Sequence, residues 1–166
     1  APEVALMRKF RKMYSSQPDR YITADLESPL ADMHFDVQQI PMGDGEVDTI
    51  ICNQILEHVE DDSKALRELY RILRPNGWAV ILSPVDLERE HTFEDDTITD
   101  AKERTRIFGQ YDHRRIYGRD YVERLAAVGF EVYDIPYKEE FSQKEQELYA
   151  LPDEHLYVVR KPLNDR

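Results

Sequence analysis

Three side chains able to grip a polar ligand recur at comparable places in this 166-residue sequence: Asp25, Asp36 and Asn53. Each closes or directly follows a short segment that reads as a β-strand, at residues 20–25, 33–36 and 47–52. In an open α/β sheet ligands bind outside the carboxyl ends of the strands, and an acid placed there can accept both hydroxyls of a ribose. Aspartate is also a turn former whose side chain bonds its own backbone two residues on, so both readings stand for each acid. A second group lies in Phe108-Gly-Gln-Tyr-Asp-His-Arg-Arg-Ile-Tyr-Gly118. His113 is a candidate general base there, because imidazole exchanges protons nearest neutral pH. Arg114 and Arg115 are candidates to clamp an acidic substrate group through paired N–H donors, with Tyr117 beside them. The plainer reading is a surface ion-pair cluster of Asp112 with the arginines, with Tyr117 packed over it.

The elements that would position these residues alternate. Residues 4–13 place Leu6, Met7, Phe10 and Met13 at helical spacing, and Gln17-Pro18 ends that helix. Gly43-Asp-Gly45 is a turn before the β-branched run 47–52, which reads as a buried strand. Residues 63–73 carry Ala65, Leu66, Leu69, Ile72 and Leu73 on one helical stripe, opened by Asp61 and Asp62 and stopped by Pro75-Asn76-Gly77. Residues 78–83 form the next buried strand. A polar stretch follows, with a helix expected at 100–108; a further helix covers 119–128 and is capped by Gly129. Strands at 130–135 and 155–159 end the pattern. Strands and helices at this interval predict one α/β domain over residues 1–166 with a doubly wound, mostly parallel sheet.

Composition narrows the function. Twenty-two Lys and Arg stand against 34 Asp and Glu, a net charge of −12, and such a field repels nucleic acid and anionic lipid. No nucleic-acid or membrane partner is expected, since the apolar runs also fall far short of the roughly 20 residues of a spanning helix. Cys52 is the sole cysteine, which excludes an internal disulfide or a Cys-x-x-Cys site and suits a reducing, cytoplasmic compartment. It reads as a small core residue. No metal is expected: His91 with Glu94-Asp-Asp96 reads as a solvated loop. The ten tyrosines look dispersed, with no stacking platform. Tyr157 and Lys161 have dehydrogenase-like spacing, but on a strand they stand about 13 Å apart.

Taken in order, Tyr21-Ile-Thr-Ala-Asp-Leu26, Asp36-Val-Gln-Gln-Ile-Pro41, Val47-Asp-Thr-Ile-Ile-Cys-Asn-Gln-Ile-Leu-Glu-His-Val59 and Leu73-Arg-Pro-Asn-Gly-Trp78 resemble the class I S-adenosylmethionine-dependent methyltransferases, the type 11 group in particular. The resemblance covers residues 20–135. It implies a Rossmann-like sheet in the order 3-2-1-4-5-7-6 with an antiparallel last strand, S-adenosylmethionine as methyl donor, and a small-molecule acceptor. It carries the cofactor ribose onto Asp25, with Leu26 beside it, the adenine onto Asp36 and Val37, and the methionine portion onto Asn53 and Gln54. Glu57 and His58 fall on the rim of the same cleft, making His58 a second candidate base beside His113, and a Gly-Gln-x-Asp-His run in related sequences supports His113.

The family's first strand and its acid-x-Gly-x-Gly-x-Gly loop have no counterpart in these residues. The sequence therefore reads as truncated at the N-terminus, with Glu3 either a cofactor-loop residue or a first-turn helix acid. Weak cofactor binding and a homodimer that covers the missing strand are the corresponding expectations. Two rivals are weighed against a methyltransferase. A nucleotide-dependent oxidoreductase lacks its Gly-x-Gly-x-x-Gly run here; a non-catalytic methyltransferase-like scaffold is favoured by the missing glycines and opposed by Asp25, Asp36 and Asn53.

Overall fold

A computed structural model describes residues 4–163, so Glu3 lies outside the described residues. The chain forms two compact units, residues up to Pro41 and residues from Met42 onward. The first unit opens with helix α1 (Val4–Met13), as the apolar spacing predicts, and buries Met7. Phe10 and Tyr14 of this segment pack on the Tyr21 ring at centroid distances of 5.4 and 6.2 Å. Pro18–Arg20 makes one 3-10 turn. The two expected strands are present but short: β1 (Ala24–Asp25) pairs in parallel with β2 (Met33–His34). Thr23 and Asp32 lock their approach. The Asp32 carboxylate accepts from Thr23 N at 2.9 Å and Thr23 Oγ1 at 2.6 Å, and Thr23 O accepts from Asp32 N and Met33 N. Arg11 donates to the other Asp32 oxygen at 3.0 Å.

The second unit is built on a four-stranded sheet of β3 (Val47–Asn53), β4 (Leu73–Leu82), β7 (Glu131–Ile135) and β8 (Leu156–Arg160), in the order β3-β4-β8-β7. The β3–β4 pair is parallel, and β8 runs antiparallel to both neighbours. This is the 4-5-7-6 portion of the expected order with its antiparallel strand in place, while β1–β2 of the first unit is a separate parallel pair. Helix α2 (Asp62–Ile72) makes the crossover and buries Ala65, Leu66, Leu69 and Ile72. The Asp61 side chain caps it, accepting from Lys64 N at 2.8 Å.

One boundary departs from the sequence reading. Leu73 already pairs with Val47, whereas Thr49 pairs with Trp78, so Arg74–Gly77 bulges out within β4 rather than preceding it. Gly77 makes that bulge possible: a Cβ there would sit 2.8 Å from Arg74 O and 2.9 Å from Asp48 O. The polar stretch also holds more order than its composition suggests. A small antiparallel ribbon joins β5 (Phe93–Glu94) to β6 (Arg115–Ile116), flanking α3 (Ala101–Phe108), which Asp100 caps. Helix α4 (Tyr121–Ala126) is shorter than expected, and α5 (Gln143–Leu148), opened by a Ser142/Glu145 capping box, has no apolar period to announce it. The tyrosines are less dispersed than they look. Tyr117 lies 4.6 Å from Tyr121, which lies 4.9 Å from Tyr157, all three buried as a core column rather than a ligand platform.

Candidate functional site

In the first unit the two acids stand where the sequence puts them. Asp25 is the last residue of β1, and its Oδ1 accepts from Glu27 N at 2.9 Å and Ser28 N at 2.7 Å. Asp36 follows β2 and accepts from Gln38 N at 2.8 Å, with Gln38 Nε2 reaching both its oxygens. Each acid thus closes a turn. An ionised carboxylate offers about four acceptor positions, so turn closure and ligand binding are compatible. Asp36 and Leu26 are exposed, and Asp25 and Val37 half-buried.

In the second unit the segment after β3 is a rigid loop. Gln54 turns the chain in the left-handed region at φ 53°, and its N–H bonds Leu82 O at 2.8 Å. Asn53, half-buried, pairs in register with Leu82 at the same strand end. Glu57 then points inward, 1% exposed, while His58 stays half-buried. The loop is stitched to the segment 114–117, which lies far away in sequence. Arg114 N donates to Glu57 O at 2.9 Å. Arg115 donates to Leu56 O at 2.5 Å, Val59 O at 2.8 Å, Glu60 O at 3.0 Å and the Glu94 carboxylate at 3.0 Å. Tyr117 OH donates to the Asp62 carboxylate at 2.9 Å.

These contacts correct two expectations. Arg115 is 3% exposed and Tyr117 fully buried, so neither reaches a substrate; both hold the loop that follows β3. Asp112 does not pair with the arginines either. Its Oδ2 lies 3.3 Å from His58 Nδ1, and its Oδ1 accepts from Gln110. Arg114 keeps a half-buried guanidinium 3.8 Å from Asp96, and of the three expected substrate contacts it alone stays accessible.

The two candidate bases, 55 positions apart, meet. The His58 and His113 rings stand edge to face with centroids 4.7 Å apart. His113 Nδ1 lies 3.3 Å from Phe108 O. Glu57 lies beneath, its Oε2 accepting from Ser83 Oγ at 3.0 Å and its Oε1 3.9 Å from His58 Nε2. Burial, with the Glu57 charge adding to it, pushes the nearby Cys52 thiol up to about 12, which keeps it protonated. Glu57 and Ser83 are the residues that the sequence undersold, since a buried Glu-Ser contact between the segments that follow β3 and β4 leaves no periodic signal.

Strand ends with acids, a rigid loop after β3 and an antiparallel β8 define a class I methyltransferase-like α/β fold. Comparison with known proteins agrees. Residues 4–81 match the family model described as a methyltransferase domain, so the resemblance is borne out over that segment. A Mycolicibacterium smegmatis protein named "Probable S-adenosylmethionine-dependent methyltransferase" is 27% identical over 101 residues, 61% of this chain. The chain spans only 35% of the length of that relative. Among solved structures, an S-adenosylmethionine dependent methyltransferase from Mesorhizobium loti superposes with a TM-score of 0.57 at 16% identity, covering 92% of this chain and 85% of that one. The Burkholderia thailandensis 1,6-didemethyltoxoflavin-N1-methyltransferase, solved with bound 1,6-didemethyltoxoflavin and S-adenosylhomocysteine, gives 0.54 at 16% identity, covering 92% of this chain and 65% of that one. At such identities the structural likeness speaks for the fold. No helix among the described residues is long and apolar enough to cross a membrane.

Proposed function

We propose that this chain transfers a methyl group from S-adenosylmethionine to a small-molecule acceptor. The observation that carries the reading is the pair of acids, Asp25 and Asp36, at the ends of two adjacent parallel strands within a segment that matches the methyltransferase domain model. Asp25, flanked by Leu26, would accept from the ribose hydroxyls. Asp36 would accept from the adenine amino group, with Val37 against the ring. Asn53 and Gln54 would face the methionine portion. Asp36 is exposed and Asp25 half-buried at the turns that follow the strand pair, and carboxylates so placed suit the hydroxyl and amino donors of such a ligand. Bound, the donor supplies an electrophilic methyl on a sulfonium, and the protein's task is to align a nucleophile with it. His113 and His58 are the proposed acceptors of the nucleophile's proton, and Arg114 the proposed contact for an acidic acceptor group.

Affinity of these 166 residues for the donor is proposed to be weak, since the glycine-lined backbone approach of the family is not among them. Calorimetric titration of the chain giving a micromolar Kd would overturn that part alone. A homodimer is the proposed assembly: β3 is an edge strand of its sheet and exposes Thr49 and Ile51, and edges of this kind invite pairing. A reducing, cytoplasmic setting is proposed from the lone buried thiol. The methyl-transfer reading is tested by single-turnover transfer of labelled methyl to a panel of small acceptors. Asp25→Ala with Asp36→Ala should abolish turnover at sub-saturating donor; unchanged turnover would refute the assignment. The histidine roles fall if His58→Gln with His113→Gln leaves the single-turnover rate intact.

A further inference from the structure

We propose that Glu57, His58 and His113 form a binding site for one divalent first-row transition-metal ion. Three observations carry it. First, each of the three residues offers one donor atom, and these atoms lie within 4.8 Å of one another. Ligands on a tetrahedral ion at about 2.1 Å stand roughly 3.4 Å apart, so side-chain rotation closes the set. Glu57 Oε1 and His58 Nε2 are already 3.9 Å apart.

Second, Glu57 is 1% exposed and its Oε1 has no hydrogen-bond partner among the described residues. Burying a carboxylate oxygen without a donor or cation is expensive, and native folds rarely leave such an atom uncompensated. Third, both imidazoles carry the outer partner that ligating histidines use. His58 Nδ1 faces the Asp112 carboxylate at 3.3 Å and His113 Nδ1 faces Phe108 O at 3.3 Å. N–H on each Nδ1 fixes the ring and leaves Nε2 as a lone-pair donor. Asp112 and the Phe108 carbonyl therefore act as positioning groups. Two imidazoles and one carboxylate suit zinc, iron, manganese or cobalt rather than magnesium or calcium, which prefer all-oxygen sets. The half-buried histidines leave one side of the trio open, as sites that admit a further ligand require.

The site stands whether or not the chain transfers methyl groups. If it does, the metal-loaded protein would acidify an oxygen nucleophile through the ion as a Lewis acid, its proton passing to solvent. The metal-free protein would use the histidines as direct proton acceptors, so dependence of the rate on added metal separates the two roles. Chelator-treated protein titrated with cobalt(II) and zinc(II), followed by visible absorption and by calorimetry, tests it. One equivalent should bind at micromolar affinity or tighter, with cobalt ligand-field bands that zinc displaces. His58→Ala, His113→Ala and Glu57→Gln should each weaken binding at least about tenfold, a conservative figure given that even outer partners cost 10–100-fold. His91→Ala, outside the trio, should leave binding unchanged. Circular dichroism checks that each variant is folded, and a misfolded one is replaced by Asp112→Asn, expected to weaken binding within the same 10–100-fold range. Absence of binding, or binding that the folded variants do not weaken, overturns the site. Binding without methyl transfer by any acceptor would leave this site and remove the methyl-transfer reading; the converse would do the opposite.

Discussion

Arg115 shows how much one side chain can organise. Its guanidinium satisfies the carbonyls of Leu56, Val59 and Glu60 and takes Glu94 as counter-ion. Arg115→Met should destabilise the fold by about 3 kcal/mol, because several buried acceptors lose their donor at once; urea unfolding monitored by Trp78 fluorescence measures it. Asp25→Ala and Asp36→Ala should each weaken S-adenosylhomocysteine binding by about tenfold or more, the value of a charge-assisted hydrogen bond of at least 1.5 kcal/mol. At this scale the sequence located Asp25 at the end of β1 and Asp36 just beyond β2, while their role toward the methyl donor stays a proposal. It misled for Arg115 and Tyr117. A run such as His113-Arg-Arg115 reads the same whether it faces water or a ring of backbone carbonyls, and only tertiary contact separates the two.

Elements follow the apolar period closely where they are long. The helical stripe from Ala65 to Leu73 and the β-branched run from Val47 both appear as read, within a residue or two. Asp61→Ala removes the α2 cap and should cost about 1 kcal/mol, readable as a lowered melting temperature. Gly77→Ala should cost more, about 1–3 kcal/mol, because its Cβ would meet two backbone carbonyl oxygens in the β4 bulge. Both variants should leave the His58–His113 region folded, which amide exchange or a native NMR spectrum would report. Pro75-Asn76-Gly77 was readable as a break but not as a bulge. A turn signal fixes local backbone shape, whereas register is decided by what the flanking residues pair with. The ribbon of β5 and β6 was invisible, since two-residue strands have no period and their pairing spans the whole of α3. The tyrosine column was invisible for the same reason.

The whole molecule carries a net charge of −12, and ion pairs and hydrogen bonds single out a few of its acids. Burial raises the Glu94 pKa, but hydrogen bonds from Arg124 and Arg115 outweigh it and leave this carboxyl below its usual range. Hydrogen bonds from Thr23 likewise hold Asp32 low. A depressed carboxyl contributes stability above its unfolded pKa, and that contribution is lost as pH falls through the folded value. Stability should therefore decline below about pH 4, the ordinary carboxylate range. Glu94→Gln should lower stability at pH 7 and shrink its dependence on pH in that acid window; thermal melts from pH 7 to pH 3 measure both, and an unchanged slope would refute the Glu94 contribution. The strand order and the antiparallel last strand came from the family resemblance, whereas the α/β class was legible at this scale because alternation of periods constrains the layer architecture. Which distant loops share a site was not, because His58 and His113 meet only once the 114–117 segment is tied beneath the loop after β3.

The assignment of the two strand-end acids is most directly examined by a crystal structure of the protein soaked with millimolar S-adenosylhomocysteine. The ribose hydroxyls should lie within hydrogen-bond distance of the Asp25 carboxylate and the adenine amino group beside Asp36. Density for the nucleoside at any other place, or with its sugar turned away from Asp25, would contradict the proposal that these acids hold the methyl donor.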